Sequence, residues 1–286
     1  MNDQHIAIVT DSGTDTPAEF CAEHDVRVVP LTINYTDGSY RAGVDITSAE
    51  VVRRFAQETP TTSLPTPEEI RTCFEDARSA GYERAVFVSL SSGLSATNQT
   101  VHLVASQLED FPVLIIDSKS IGVAAGMVVM AATEMVEEGI PFEELEGRLV
   151  PLAEQTDVFF CCRELEHLRK GGRISEPTYR MGSVLNIKPI ITCNPEGRYV
   201  PCKKARGWEK AMDSMVGLIA GCAAKFPKTV IAICCSEAED DFDLLEAKAK
   251  ERIPNMTRII RSSFSPALMV HTGPRVVGMG VQPARD

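Results

Sequence analysis

The chain has 286 residues, with 29 basic and 40 acidic side chains and a formal charge of −11. Its 44% apolar and 24% charged content is that of a globular protein of one large or two medium domains, not of a disordered chain. The acidic balance argues against non-specific nucleic-acid binding, which needs a basic surface, and no run reaches the ~18 uncharged apolar residues of a membrane span.

Met1-Asn2-Asp3-Gln4-His5 carries no basic region followed by an apolar run, so no secretory signal is expected. Ile6-Ala7-Ile8-Val9 reads as a buried strand. Val26 to Ile33 reads as another, with Pro30 marking an edge or a strand end. Helices are expected at Ser48 to Gln57 and at Pro67 to Ala80. The second opens on Thr66-Pro67-Glu68-Glu69, a capping residue, a first-turn proline and two acids at the positive helix end. A strand at Ala85 to Val88, a helix at Leu94 to Leu108 and a strand at Val113 to Ile116 follow. Helices at Ile121 to Glu138 and Phe142 to Glu154 close this half. Alternating strands and helices at this spacing predict right-handed β-α-β units and a Rossmann-like parallel sheet.

The texture changes near residue 157. Val158 to Cys162 is strand-like, and a short helix leads into Arg169-Lys170-Gly171-Gly172-Arg173. Ile187 to Thr192 and Tyr199 to Lys203 flank Asn194-Pro195-Glu196-Gly197, a hairpin signal. A helix at Glu209 to Lys225, a strand at Val230 to Cys234, a helix at Asp240 to Arg252 and strands at Met256 to Arg261 and Val276 to Val281 complete the chain. The expected fold is α/β with two domains. Residues 1–157 form the parallel-sheet unit. Residues 158–286 form an α/β unit with a mixed or antiparallel sheet and helices on one face.

Nine cysteines, none in a Cys-x-x-Cys pair, lack zinc-ligand spacing. Cys161/Cys162 and Cys234/Cys235 sit inside apolar runs, where a thiol acts as a small hydrophobe, and the reduced cytoplasm is the expected compartment.

Four segments rich in hydroxyls and glycine fall at strand ends, where α/β sheets place ligands. Thr10 to Asp15 either binds a cation or caps a helix. Thr61-Thr62-Ser63 before a helix start suits an anion or a capped loop. Ser89 to Thr97 is a second anion cradle by composition, yet matches neither a Walker loop nor Gly-x-Gly-x-x-Gly nor Gly-x-Ser-x-Gly. His271-Thr272-Gly273 adds one imidazole. Hydroxyls from three loops with one histidine supply neutral donors and no general-base pair, metal cluster or Ser-His-Asp order, which favours binding over catalysis.

In order, Val9 to Ser12, Thr62 to Thr66, Ser89 to Ser95, Asp117 to Ser120, Leu168 to Ile174, Leu185 to Ile190 and His271 to Pro274 resemble the DegV family of bacterial fatty-acid-binding proteins along the whole chain. The resemblance implies one long-chain fatty acid between two α/β domains, with no other cofactor. Its carboxylate would be held by Thr62, Ser63 and Ser95, with His271 and Thr272 close by and Ser92, Gly93, Leu94, Ser118 and Gly126 as further lining. It also implies a non-catalytic carrier that presents the carboxylate to an ATP-dependent fatty acid kinase subunit for acyl phosphate formation, docked through Arg169, Lys170 and Arg173. The competing reading is a self-contained transferase or hydrolase using Ser95 or Ser92 with His271. Leu64, Thr66, Ala96, Asn98 and Arg275 depart from the family's usual residues, and Leu64 and Asn98 bear on pocket shape. The small-residue helix from Ile121 to Met130 is a candidate tunnel wall, or else packs on a sheet; Met181, Leu185 and Ile187 are further wall candidates.

Overall fold

The computed structural model describes residues 2–183, 186–236 and 239–285, the side chains of 181–183 and 239 apart. Leu185 and the Met181 side chain, both expected at the tunnel wall, lie outside the described residues.

The first half contains strands β1 (Ile6–Asp11), β2 (Arg27–Val29), β3 (Thr32–Tyr35), β4 (Gly38–Arg41), β5 (Thr61–Ser63), β6 (Arg84–Ser89) and β7 (Val113–Asp117). Its helices are α1 (Ala18–Glu23), α2 (Ser48–Arg54), α3 (Pro67–Ser79), α4 (Thr97–Ala105), α5 (Gly122–Glu137) and α6 (Phe142–Glu154). The second half contains β8 (Asp157–Cys162), β9 (Ile187–Cys193), β10 (Tyr199–Arg206), β11 (Thr229–Cys235), β12 (Met256–Ser263) and β13 (Val276–Pro283). Its helices are α7 (Glu166–Lys170), α8 (Glu176–Ser183), α9 (Trp208–Ala223), α10 (Glu239–Arg252) and α11 (Pro266–Thr272).

Strands β2-β1-β6-β7 form an all-parallel sheet. The order β10-β9-β8-β13-β11-β12 forms a mixed sheet, antiparallel except for β11 with β12. The local signals explain much of this. Thr66 and Glu69 exchange hydrogen bonds in a capping box, with Pro67 in the first turn of α3. Pro30, which lacks an N–H, breaks the expected Val26–Ile33 strand into β2 and β3. The open edge strand β10 carries Pro201, a bulge at Cys202 and exposed Lys203 and Lys204, all features that deter pairing with another chain.

Two features depart from expectation. Strands β4-β3-β5 make a small antiparallel sheet in the first half, which brings Thr62 opposite Ile33. The mixed sheet is also covered on both faces, not one. Helices α9 and α10 pack on one side, and α5 packs against β11 and β13 on the other while also touching β1 and β6. A helix caught between two sheets must be apolar all round, and α5 is from Gly122 to Ala132. Gly280 of β13 lets it approach, since a Cβ there would lie 3.0 Å from Met127 Sδ and 3.1 Å from Ala124 Cβ.

Hydrogen bonds stitch the seam between the two sheets. Asp15 on the loop after β1 accepts Ser262 Oγ at its backbone oxygen (2.6 Å) and the Ser265 N–H at Oδ1 (2.9 Å). Ser265 in turn caps α11. On the hairpin side, Ser91 Oγ donates to the Gly197 carbonyl at 2.8 Å. Thus the Thr10–Asp15 segment ties α11 to the first half. Asp11 acts within its own half, accepting the Gly13 and Leu90 N–H groups at 2.8 Å each.

Burial pushes both carboxyls up to about 7. Two N–H donors oppose this rise at Asp11, and Ser265 opposes it at Asp15, whose Oδ2 has no partner. A raised acid pKa means that the native state holds a proton which the unfolded state sheds above 3.8, so this group's contribution falls as pH rises toward 7. Asp15→Asn removes that loss. Urea melts from pH 4 to 8 are expected to show the variant gaining on wild type by on the order of 4 kcal/mol across the range. A tenfold difference in proton affinity between folded and unfolded chains is worth about 1.4 kcal/mol, and the rise from 3.8 to about 7 spans about three such steps; the cost of the unpaired amide is the same at every pH and leaves this slope unchanged. A difference between the two proteins that does not vary with pH contradicts this assignment.

Candidate functional site

Between the sheets lies a cavity of about 320 Å³, lined by Thr62, Ser63, Leu64, Leu90, Leu94, Ser95, Ile121, Arg173, Tyr199, Leu268, His271 and Thr272 among others. A smaller chamber of about 20 Å³ shares Ile121, Tyr199, Leu268 and Thr272 with it and ends on Val158, Phe160, Cys234, Phe264 and Gly278. The outer chamber mixes hydroxyls, an imidazole and a guanidinium with aliphatic side chains; the inner surface is apolar throughout. The pair makes an amphipathic hole, with polar groups near the outside and hydrocarbon within.

The polar end is built by β5 and α11. Cross-strand pairing of Thr62 with Ile33 turns its side chain toward the core, and Thr62 Oγ1 lies 2.7 Å from His271 Nε2. Burial, reinforced by the Arg173 charge, pushes the His271 imidazole down to about 3, so it is neutral at pH 7. Its Nδ1 is buried without a partner. A buried N–H without an acceptor is costly, so we assign the proton to Nε2, which donates to Thr62 Oγ1. That leaves the Thr62 O–H free to donate into the cavity.

Ser95 also lines the outer chamber, with its Oγ 2.8 Å from Thr97 Oγ1 and accepting the Thr97 N–H at 3.2 Å. Ser63 lines it too, but its hydroxyl sits with Asn34 on the other face of β5 and accepts the Asn34 amide at 3.1 Å. Thr272 spends its proton on the Leu268 carbonyl at 3.0 Å. Of the hydroxyls expected to grip an anion, Thr62 and Ser95 are therefore the better placed.

Several residues singled out in the sequence lie elsewhere. Ser92 and Gly93 are not in the lining. The Ser92 N–H donates to Asp117 at 3.1 Å, and Gly93 lies against the backbone of Glu196 and Gly197. Small polar residues suit an interlobe clasp as well as an anion cradle, and here they make the clasp. Ser118 is buried in its own turn, bonded to the Ser120 backbone. Gly126 serves close packing, since a Cβ there would stand 2.6 Å from the Thr14 carbonyl oxygen. Only the first turn of α5 and the residue before it, Ile121 to Val123, line the inner chamber. Ile187 is absent from both linings, whereas Leu94 and the departing residue Leu64 line the outer one; Asn98 instead donates to Ser89 Oγ at 3.0 Å.

The basic Gly-rich run divides. Arg173 turns into the outer chamber. Arg169 is held by Glu166 at 2.7 Å and lies over the Tyr179 ring, and Lys170 is 3.8 Å from Glu166. Glycines leave room for two imidazoles at this corner, with the His271 ring against Gly171 and the His167 ring against Gly273. Sequence reasoning missed His167 and Tyr199 altogether. Neither carries a signal beyond its position beside a glycine-rich or hairpin segment.

Ser95 and His271 do not form a nucleophile and base. The imidazole nitrogen that faces a hydroxyl faces Thr62, and Nδ1 faces Gly171 with no carboxylate to orient it. Among the described residues, no group of three or more His, Cys, Asp or Glu side chains is placed to hold a metal ion, and no helix is long and apolar enough to cross a membrane. All nine cysteines are free thiols, with Cys161, Cys162, Cys234 and Cys235 buried as hydrophobes.

A family model described as "Uncharacterised protein, DegV family" matches residues 5–284. The chain belongs to the DegV family. A DegV domain-containing protein of Clostridium perfringens is 32% identical over 279 residues, spanning 98% of this chain and 99% of the relative. A solved structure described as fatty acid binding of a DegV family protein, from Thermus thermophilus, matches with a TM-score of 0.90 at 28% identity, over 98% of this chain and 99% of that one. The structure of DegV from Bacillus subtilis, described as a fatty acid binding protein, matches with a TM-score of 0.87 at 25% identity, over 98% and 99%. The two-sheet α/β architecture is thus the DegV fold, and the amphipathic hole lies between its sheets.

Proposed function

We propose that this protein binds one long-chain fatty acid, tail inward, and presents the carboxylate to a partner kinase. The observation that carries the reading is the two-chambered hole with its polar mouth and apolar interior. The fatty-acid-binding descriptions of the Thermus thermophilus and Bacillus subtilis DegV proteins support it. At ~0.8 kcal/mol per methylene, about 14 buried methylenes supply on the order of 11 kcal/mol before ordering costs, so the tail supplies the affinity. The head group needs only enough hydrogen bonding to offset lost water. Thr62, Ser95 and His271 provide it, with Arg173 as a nearby cation; Ser63 and Thr272 complete the wall. A neutral imidazole behind Thr62 leaves the carboxylate nucleophilic. In the partner's active site a carboxylate oxygen would bond to the γ-phosphorus of ATP as ADP leaves, giving the acyl phosphate. ATP is the partner's, and the carrier itself performs no chemistry. Arg169 and Lys170 mark the docking face, and the free thiols suit a cytoplasmic protein.

Native mass spectrometry of gently purified protein tests this. A stoichiometric long-chain fatty acid is expected. Thr62→Val, which keeps shape and removes the donor, is expected to weaken binding about tenfold or more, the worth of one hydrogen bond to a charged group. Ser63→Ala is expected to change it less than threefold, roughly the scale of one exposed neutral hydrogen bond. A different co-purified metabolite, or equal effects of the two substitutions, counts against the proposal.

A further inference from the structure

We infer that Gly278 sets the length of tail this protein accepts, an inference that rests on the fatty-acid reading above. On the face of the mixed sheet turned toward the tunnel, β13 presents Val276, Gly278 and Gly280 in alternation. Gly278 pairs with Phe160 of β8 on one side and Cys234 of β11 on the other. The three residues thus form a row across three adjacent strands, and all three line the inner chamber. The missing side chain in the middle leaves a dimple between a ring and a thiol, in the inner chamber, which the Thr62–His271 pair does not line.

Neither backbone nor packing requires glycine there. Gly278 is not among the positive-φ glycines. A Cβ would lie 3.4 Å from Phe264 Cζ and 3.5 Å from Phe160 Cβ, ordinary van der Waals distances. This contrasts with Gly280 two residues on, where the same atom would press on Met127 and Ala124 of α5. What Gly278 supplies is space, and the space is scarce. The chamber measures about 20 Å³, close to the room needed by a single small group such as a terminal methyl. One added methyl takes up most of it.

The test measures binding of saturated fatty acids from lauric to arachidic acid, by displacement of a fluorescent fatty acid, to wild type, Gly278→Ala and Cys234→Ala. Gly278→Ala is expected to shift the optimum shorter, with affinity for the longest tails falling about fourfold per methylene excluded while shorter tails bind as before. Cys234→Ala widens the same dimple and is expected to shift tolerance the other way. Opposite shifts at neighbouring positions cannot come from general destabilisation, which lowers affinity for every length. Intact binding with an unmoved length profile in both variants overturns this inference alone, as does a uniform loss at all lengths in both. A wild-type protein that binds no fatty acid of any length overturns the carrier reading and this inference with it.

Discussion

Gly93→Ala is expected to destabilise the protein by about 4 kcal/mol and to lower its melting temperature by roughly 10 °C. A Cβ at Gly93 would stand 2.4 Å from the Glu196 carbonyl oxygen and 2.8 Å from the Gly197 carbonyl carbon. Both are backbone atoms of the β9–β10 hairpin tip, so no rotamer change relieves the clash. The hairpin must back away, and two costs add. Overpacking of this kind costs up to about 3 kcal/mol, and separation of Ser91 Oγ from the Gly197 carbonyl forfeits a hydrogen bond worth about 1 kcal/mol. The tip has little freedom to adjust, because Gly197 holds φ at 72° and a Cβ there would itself run into Ser91 Oγ. Tyr199 follows two residues later and borders both chambers, so retreat of the hairpin also disturbs the lining they share. The control is Gly147→Ala in α6, where no atom lies within 4 Å of the added carbon; it is expected to be neutral or slightly stabilising. Thermal melts of both variants decide the matter, and a Gly93→Ala protein that melts within a degree of wild type would falsify the clasp.

The elements that were legible in the sequence are those whose signals are local. The capping box at Thr66 and Glu69, the Asn194–Gly197 turn and the all-apolar stretch of α5 each predict their structure from within a dozen residues. Elements set by distant partners were not legible. β5 is three residues long and becomes a strand because β3 lies beside it. α11 is a seven-residue helix whose cap rests on Asp15, some 250 residues away in the chain; Ser265 before Pro266 is a local start signal, but seven residues are too few for an apolar period to stand out. The same limit governs the site. Hydroxyl-rich loops at strand ends identified the region, but composition cannot separate Ser95, which lines the hole, from Ser91, which bonds the opposite lobe. Arg173 illustrates it most directly. Two residues separate it from the surface cation Lys170, yet the turn through Gly171 and Gly172 carries it to the cavity.

That turn is also the point at which a single methyl group is expected to disable the head-group site. Gly171→Ala is expected to lower fatty-acid affinity 10- to 100-fold, the equivalent of about 1.5–3 kcal/mol for a lost hydrogen bond to a charged group. A Cβ on Gly171 would stand 2.3 Å from His271 Nδ1 and 3.0 Å from Cε1, and the His167 carbonyl oxygen at 3.2 Å blocks escape on the other side. The imidazole must swing, and the 2.7 Å contact between Nε2 and Thr62 Oγ1 is the bond that breaks. Without that partner, the Thr62 hydroxyl loses the donor that fixes its own proton toward the ligand. The fold should suffer less than the site, because a ring at the wall of a cavity has somewhere to go. A double-mutant cycle separates this account from simple damage. In a His271→Ala background the ring is gone and the space beside residue 171 is empty, so the added methyl has nothing to strike. Gly171→Ala should then cost no further affinity, and the two substitutions together should bind like His271→Ala alone. Additive losses would mean that Gly171 acts through the α7 turn and not through the histidine.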